Sequence, residues 1–472
     1  MKKKTALWII TVLVLFLVAV TFGIVMRLNQ GNSIQLSPVG FYSTMTAHGL
    51  TMIGIWVVAG LAALHYLLQR YVSISPKLGY FAFGMTVVGV LLLFLVIFAG
   101  KFHTGWTFLY PLPFYAVGEK WASPGFLVAI GLLGIGWTVW VAGMLLAIFK
   151  KYPLPVAFAW QHLRKSPAVE TPPLVLISTI SLVGVLLSLA TAVVVLVFYF
   201  IEYFSGRAVT NDALLMKNLT FFFGHTLFNE VLYLGLASLY ELFPEVSGRP
   251  RFRTTWYVAL AWNCTLCFIL TAFFHHMYMD FAQPLVFQAI GQYASYFASL
   301  PAASITAFSV LALVVRSPIK WSLTNALFFT GVMGWLIGGI GAVIDATIAN
   351  NFILHNTLWV AAHFHTYNVL GNVLFSLAFF HWAANEFSGK QTNERSDDLK
   401  IFLLLIGGLG FVLMFYLGGA YSVPRRFNVY PELFSDAGWM ALVGAFFATI
   451  YLAALVLFSY SIIKKCVPSL RR

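Results

Sequence analysis

The chain has 472 residues, of which 60% are hydrophobic and only 9% charged, where a soluble domain carries roughly 25%. This composition excludes a soluble globular enzyme and implies an integral membrane protein. The formal charge of +13 is distributed in a way that reports topology, and nucleic-acid binding is a poor explanation for it.

Runs of about 20 apolar residues read as spanning helices. They fall at 7–26, 40–69, 78–99, 125–149, 174–203, 218–243, 254–280, 284–315, 320–349, 352–383, 400–419 and 434–464. The sequence therefore predicts an all-α polytopic membrane protein, one domain over 1–472 built as a twelve-transmembrane-helix bundle. The first run follows MKKK but is longer than a signal-peptide core and lacks a small-x-small cleavage site, so it reads as a span. The longest gaps, near 100–124 and 150–173, are too short to fold alone. With the amino terminus inside, 21 of the 28 basic residues lie on the inner side. The other seven are Arg27, Lys101, Lys120, Arg207, Lys217, Arg425 and Arg426. That asymmetry predicts both termini on the cytoplasmic side. Three cysteines make no disulfide framework, and Cys264 and Cys267, a C-x-x-C on an apolar helix, read as packing residues.

In chain order, span two carries FYSTMTAHGLTMIGIW, which places His48 about eight residues, ~12 Å, below the outer edge. The outer loop GWTFLYPLP (105–113) is amphipathic and aromatic, suited to lie over a flat macrocycle. Span six descends through FFFGHTLFNE, with His225 about seven residues deep and followed by Asn229 and Glu230. Span seven ends in AFFHHMYMD. Its neighbours His275 and His276 lie ~100° apart on a helix, so they share one metal only beside a local distortion. Span ten reads HNTLWVAAHFHTYNVLGN, and its His363 and His365 lie ~200° apart, on opposite faces. One ion cannot easily use both; two centres, one on each side of the helix, can. Six of the eleven histidines, on four helices, thus fall in the outer half of the bilayer, and this convergence implies a buried cofactor site. His225, His275 and His276 would leave an open position on a shared metal for a small molecule. In SVPRRFNVYP (422–431), Arg425 and Arg426 run against the charge bias; paired guanidiniums suit carboxylates such as haem propionates. His355 and His103 lie at the outer rim, where a cofactor carboxylate or water is within reach. His65, His162 and His381 read as snorkelling residues near inner helix ends.

Taken together, TAHGLTM, the GH of span six, HHMYM, HNTLWVAAHFH and VPRR resemble subunit I of the haem–copper oxidoreductase superfamily, over most of the chain. HNTLWVAAHFH is most similar to the B-type branch. The resemblance implies a low-spin haem held axially by His48 and His365, and a high-spin haem on His363. His225, His275 and His276 would hold the facing non-haem metal, copper or iron. It also implies a prokaryotic plasma or inner membrane and a subunit II-like partner that passes on electrons from cytochrome c or quinol.

One departure bears on the substrate. The A- and B-type oxygen reductases of that superfamily place a tyrosine four residues after the span-six histidine, covalently bonded to it, as a hydrogen-atom donor in O–O cleavage. Here that position is Asn229, an amide that cannot be oxidised like a phenol. The C-type tyrosine of span seven is missing too: Leu266, Cys267, Phe268 and Ile269 stand around its place. Nitric oxide reductases of the superfamily lack the tyrosine and carry a carboxylate near the non-haem iron. Glu230, about 140° around the helix from His225, is a candidate ligand or proton donor if the helix is distorted. The sequence expectation is therefore reduction of nitric oxide to nitrous oxide, with Asn229 as hydrogen-bond donor. The alternative is a terminal oxygen reductase. A transporter without redox chemistry would instead need intramembrane acids along a path. Tyr233, Ser238, Tyr240 and Glu241 on span six, with Ser295, Ser299, Ser304, Thr306 and Ser309 on span eight, could form a proton path from the inside.

Overall fold

A chain this apolar must satisfy its backbone within each segment, which in a bilayer favours helices. The computed structural model describes residues 2–115, 118–164, 169–206, 210–315, 318–319, 321–389 and 396–471. Among them all regular structure is helical, apart from an isolated bridge between Thr357 and Pro424. The long helices are α1 Lys2–Gln30, α2 Pro38–Leu67, α3 Pro76–Phe94, α4 Ala122–Lys151, α5 Pro173–Ser205 and α6 Ala213–Val246. After these come α7 Trp256–Ala272, α8 Val286–Val314, α9 Leu323–Ala346, α10 Leu358–Tyr367, α11 Val373–Ser388, α12 Asp397–Ala420 and α13 Gly438–Arg471. Several begin a few residues before the apolar runs, because polar caps and prolines start a helix without being hydrophobic. Ser37, Asp212 and Thr255 cap α2, α6 and α7, and Pro38, Pro76 and Pro173 open α2, α3 and α5.

Among the described residues, ten helices are long and apolar enough to cross a membrane by length and composition. The expected count of twelve is not reached on that measure. Neither α6 nor the run 358–388 is among the ten. The physical reason is local: both carry the polar residues of the site, which lower their hydropathy; the second also holds a π turn at Asn368–Asn372. Two more irregularities accompany it, a π turn at Leu95–Ala99 and a 3₁₀ turn at Phe273–Met277 that ends α7 at the histidine pair. Such defects re-aim side chains that an unbroken helix would hold elsewhere.

In the interior, α6 packs against α5, α2, α9 and α11, and α10 lies between α9 and α12. Several residues assigned to loops or surfaces from the sequence are inside. Arg27 and Lys4 are 4% and 2% exposed, and His65, His162 and His381 are buried rather than snorkelling. Each makes internal hydrogen bonds, which sequence position does not reveal. Cys267 is exposed, so the C-x-x-C is not a packed core pair. Arg207 lies outside the described residues.

A candidate double metal centre in the outer half

The site starts with α10. His365 turns toward α2, where its ring lies 6.4 Å from that of His48 with planes 18° apart. His48 Nδ1 is 2.7 Å from the Ala19 carbonyl and His365 Nδ1 is 2.7 Å from the Ala361 carbonyl. A carbonyl only accepts, so each Nδ1 carries the proton and each Nε2 keeps its lone pair. Two metal–nitrogen bonds of about 2 Å account for most of the gap between the rings. Gly23 makes this approach possible, since a Cβ there would stand 2.9 Å from His48 Cε1.

His363 faces the other way, against Gly341 on α9. Its Nδ1 is buried without a hydrogen bond and lies 3.9 Å from the buried Asp345 carboxylate. Between the two faces of α10 stands an aromatic wall: Phe364 packs edge-on against Phe228 and stacks on Trp106, which the 105–113 loop lays over the site.

The third group comes from α6 and the turn after α7. His225, His275 and His276 each offer one ring nitrogen, and these three atoms lie within 4.8 Å of one another. The 3₁₀ turn supplies the distortion that neighbouring histidines need, bringing their rings to 4.1 Å. Two partners orient the set. Asn229 Nδ2 donates to the His225 carbonyl at 2.9 Å, and its amide lies 3.3 Å from His225 Nε2, while His225 Nδ1 is buried and unpartnered. Ser295 of α8 sits 2.9 Å from His275 Nδ1 and leaves its Nε2 free.

Glu230 does not join them. It is fully buried on the face of α6 toward α5, where a methyl group on Gly184 would fall on its carboxylate. The α6 helix is continuous here, so the distortion needed to swing Glu230 toward His225 is not present.

All six histidines line one cavity of about 620 Å³, shared with Asn229, Arg425 and Arg426. Arg425 is half-buried, and burial, then the adjacent Arg426, pushes its guanidinium down to about 9, with Asp345 opposing. Neither guanidinium is in an ion pair among the described residues. His355 lines the same mouth, its pKa lowered to about 4 by burial and by Arg425. Sequence reasoning missed Arg27, which ends the first apolar run. It bonds Gln30 and Tyr430, yet its Nε and Nη2 are buried without partners beside the cavity. The signal was available, since a cation at the end of an apolar helix is a functional candidate by default.

Buried polar atoms without partners cost about 1–3 kcal/mol each. Six imidazoles with bare nitrogens, and guanidiniums without carboxylates, are consistent with residues built to hold metals and an anionic macrocycle. The donor set fits two haems and one non-haem copper or iron.

Comparison with known proteins identifies the family. Residues 3–447 match the family model described as cytochrome c and quinol oxidase polypeptide I. Cytochrome c oxidase subunit 1 of Synechocystis sp. is 26% identical over 87% of this chain and 74% of its own length. The protein of the same name from Thermus thermophilus is 22% identical over 98% and 84%. Among solved structures, a heme-copper terminal oxidase dimer superposes with a TM-score of 0.78, covering 98% of this chain and 84% of its own at 21% identity, a likeness of fold.

Proposed function

Since the chain belongs to the cytochrome c and quinol oxidase polypeptide I family, subunit I of the haem–copper oxidases, we propose that it is the catalytic subunit of a terminal oxygen reductase. What carries this reading is that relatives matching 87% and 98% of the chain bear the name cytochrome c oxidase. It reverses the order of substrates reached from the sequence. Nitric oxide reduction is the second reading, favoured by Asn229, whose amide lies beside His225 Nε2 where oxygen reductases of the superfamily carry a tyrosine. The span-ten motif supports placement in the B-type branch. Electrons come from cytochrome c or quinol through a subunit II-like partner in a prokaryotic cell membrane.

His48 and His365 would hold the low-spin haem, His363 the high-spin haem, and His225, His275 and His276 the non-haem copper or iron. When bound, these groups supply electrons and Lewis acidity at a small-molecule site. The chain's own residues do the rest. Asn229 and Ser295 fix which nitrogen of His225 and of His275 faces the cavity. Phe364, Phe228 and Trp106 set an apolar wall between the two faces of α10. Arg425 and Arg426 would pair with the propionates. On the inner side, the Tyr240 hydroxyl lies 3.1 Å from Thr306 Oγ1, both buried, and can pass a proton between them. Glu241 is engaged instead by Arg70 and Tyr71.

The test is a paired gas assay on the purified complex, with metal analysis and pyridine-haem spectra. Rapid oxygen consumption with little nitrous oxide from nitric oxide is expected. Nitrous oxide formation with slow oxygen turnover would hand the assignment to the second reading.

A further inference from the structure

Away from the histidine cavity, a groove of about 610 Å³ runs along the lipid-facing side between α3 and α4. Its lining is sorted by polarity. Ser73, Ser75, Lys77 and Lys150 gather at one end, while Phe81, Val139, Gly143 and Leu146 line the rest. Along α4 the lining runs from Lys150 to Val139, eleven residues or about 16 Å, which is half of a hydrocarbon core of about 30 Å. The polar end lies where α3 begins and α4 ends, the side that the charge bias makes cytoplasmic.

Three features of that end call for an anion. Lys77 and Lys150 come from different helices, are exposed, and join no ion pair among the described residues. Ser75 stands at the N-cap of α3 in extended conformation, yet its side chain makes no capping bond. The first turn of α3 opens on Pro76, which has no N–H, and its Leu78 N–H is taken by the Ser75 carbonyl, so it sets its positive dipole end and the Lys77 N–H beside the two ammonium groups. The rest of the groove is apolar and open to lipid.

We propose that this groove binds one anionic phospholipid of the inner leaflet. Its phosphate sits between Lys77 and Lys150 on the first turn of α3, and an acyl chain lies along Leu146, Gly143 and Val139. A free phosphate would leave the apolar trough unused. An apolar helix from another subunit would leave both lysines unpaired, and would have no reason to match the depth of one leaflet.

Native mass spectrometry of the purified complex, offered phosphatidylglycerol or phosphatidylcholine, tests this. The unaltered complex should retain one phosphatidylglycerol in preference to phosphatidylcholine. Lys77→Gln with Lys150→Gln should bind it about 30-fold more weakly, from the contribution of two lysines at an anionic surface, with oxidase turnover unchanged. If that double variant does not assemble, Ala147→Trp fills the trough while keeping both lysines, and should lose the lipid as well. Equal retention of the two lipids, or of phosphatidylglycerol by the variants, would overturn the proposal. So would inorganic phosphate raising the melting temperature as much as phosphatidylglycerol, or amine labelling that finds both lysines shielded in delipidated complex.

Discussion

Histidines at the two ends of this bundle sit in similarly buried surroundings and are bonded in opposite ways. At the inner end, His65 uses both ring nitrogens, one with Lys4 at 2.6 Å and one with Trp140 at 2.8 Å. His381 does the same with Thr324 and Asn385. In the outer-half cavity, His48, His365 and His275 each give Nδ1 to the protein and keep Nε2 bare, and His225 keeps its Nδ1 unpartnered. Burial alone does not separate a structural histidine from a ligand. The spare nitrogen does, because a buried lone pair without a donor is tolerated where something else will take it.

The largest effect should come from removing a spare nitrogen. Replacing His276 with Ala leaves two imidazoles where three converge. Metal analysis should show the non-haem ion lost and turnover reduced by more than about 100-fold, beyond the 10- to 100-fold of outer-shell changes, with helical circular dichroism kept. A variant that keeps its metal and its turnover would mean that these nitrogens do not form a site.

Next are the groups that choose which nitrogen is spare. Asn229→Leu removes the amide beside His225 Nε2 and frees the ring to rotate, so metal affinity should fall roughly 10- to 100-fold. Ser295→Ala acts on His275 in the same way, but leaves the 3₁₀ backbone that also positions it, so its effect should lie at the low end, near tenfold. Metal titration of the stripped complex measures both. Equal affinities in all three proteins would reduce these contacts to packing.

This division shows what the sequence could express. Depth follows from counting residues along an apolar run, so the grouping of six histidines at one level was legible. The opposition of His363 and His365 was also legible, because a spacing of two fixes their relative angle on any helix. What counting cannot give is which neighbour a face meets. Glu230 was placed five residues from His225, but only the packing of α6 against Gly184 shows that its carboxylate leaves the cavity. Lys4 and Arg27 counted as loop charges because they flank the first apolar run, yet both fold inward onto partners distant in sequence. The distortion at 273–277 followed only from asking two neighbouring histidines to share a metal, and the break at 368–372 was hidden, since both answer to tertiary contacts rather than to local composition.

The smallest effect on turnover should come from the inner end, where the comparison is sharpest. The Trp140 indole N–H can only donate, so His65 Nδ1 accepts and carries no proton. A neutral His65 then holds its proton on Nε2, which points at Lys4 Nζ 2.6 Å away. The hydrogen count closes only if Lys4 accepts, and only a neutral amine has a lone pair with which to do so. Lys4→Met should therefore cost about 1–3 kcal/mol, the penalty for one orphaned N–H. Lys4→Arg should cost more, because it sets an obligate cation with no acceptor against that N–H. Metal content and turnover should not change in either. Thermal unfolding of the two variants settles the order; an arginine tolerated better than methionine would show Lys4 to be a cation and His65 to be held by a different tautomer.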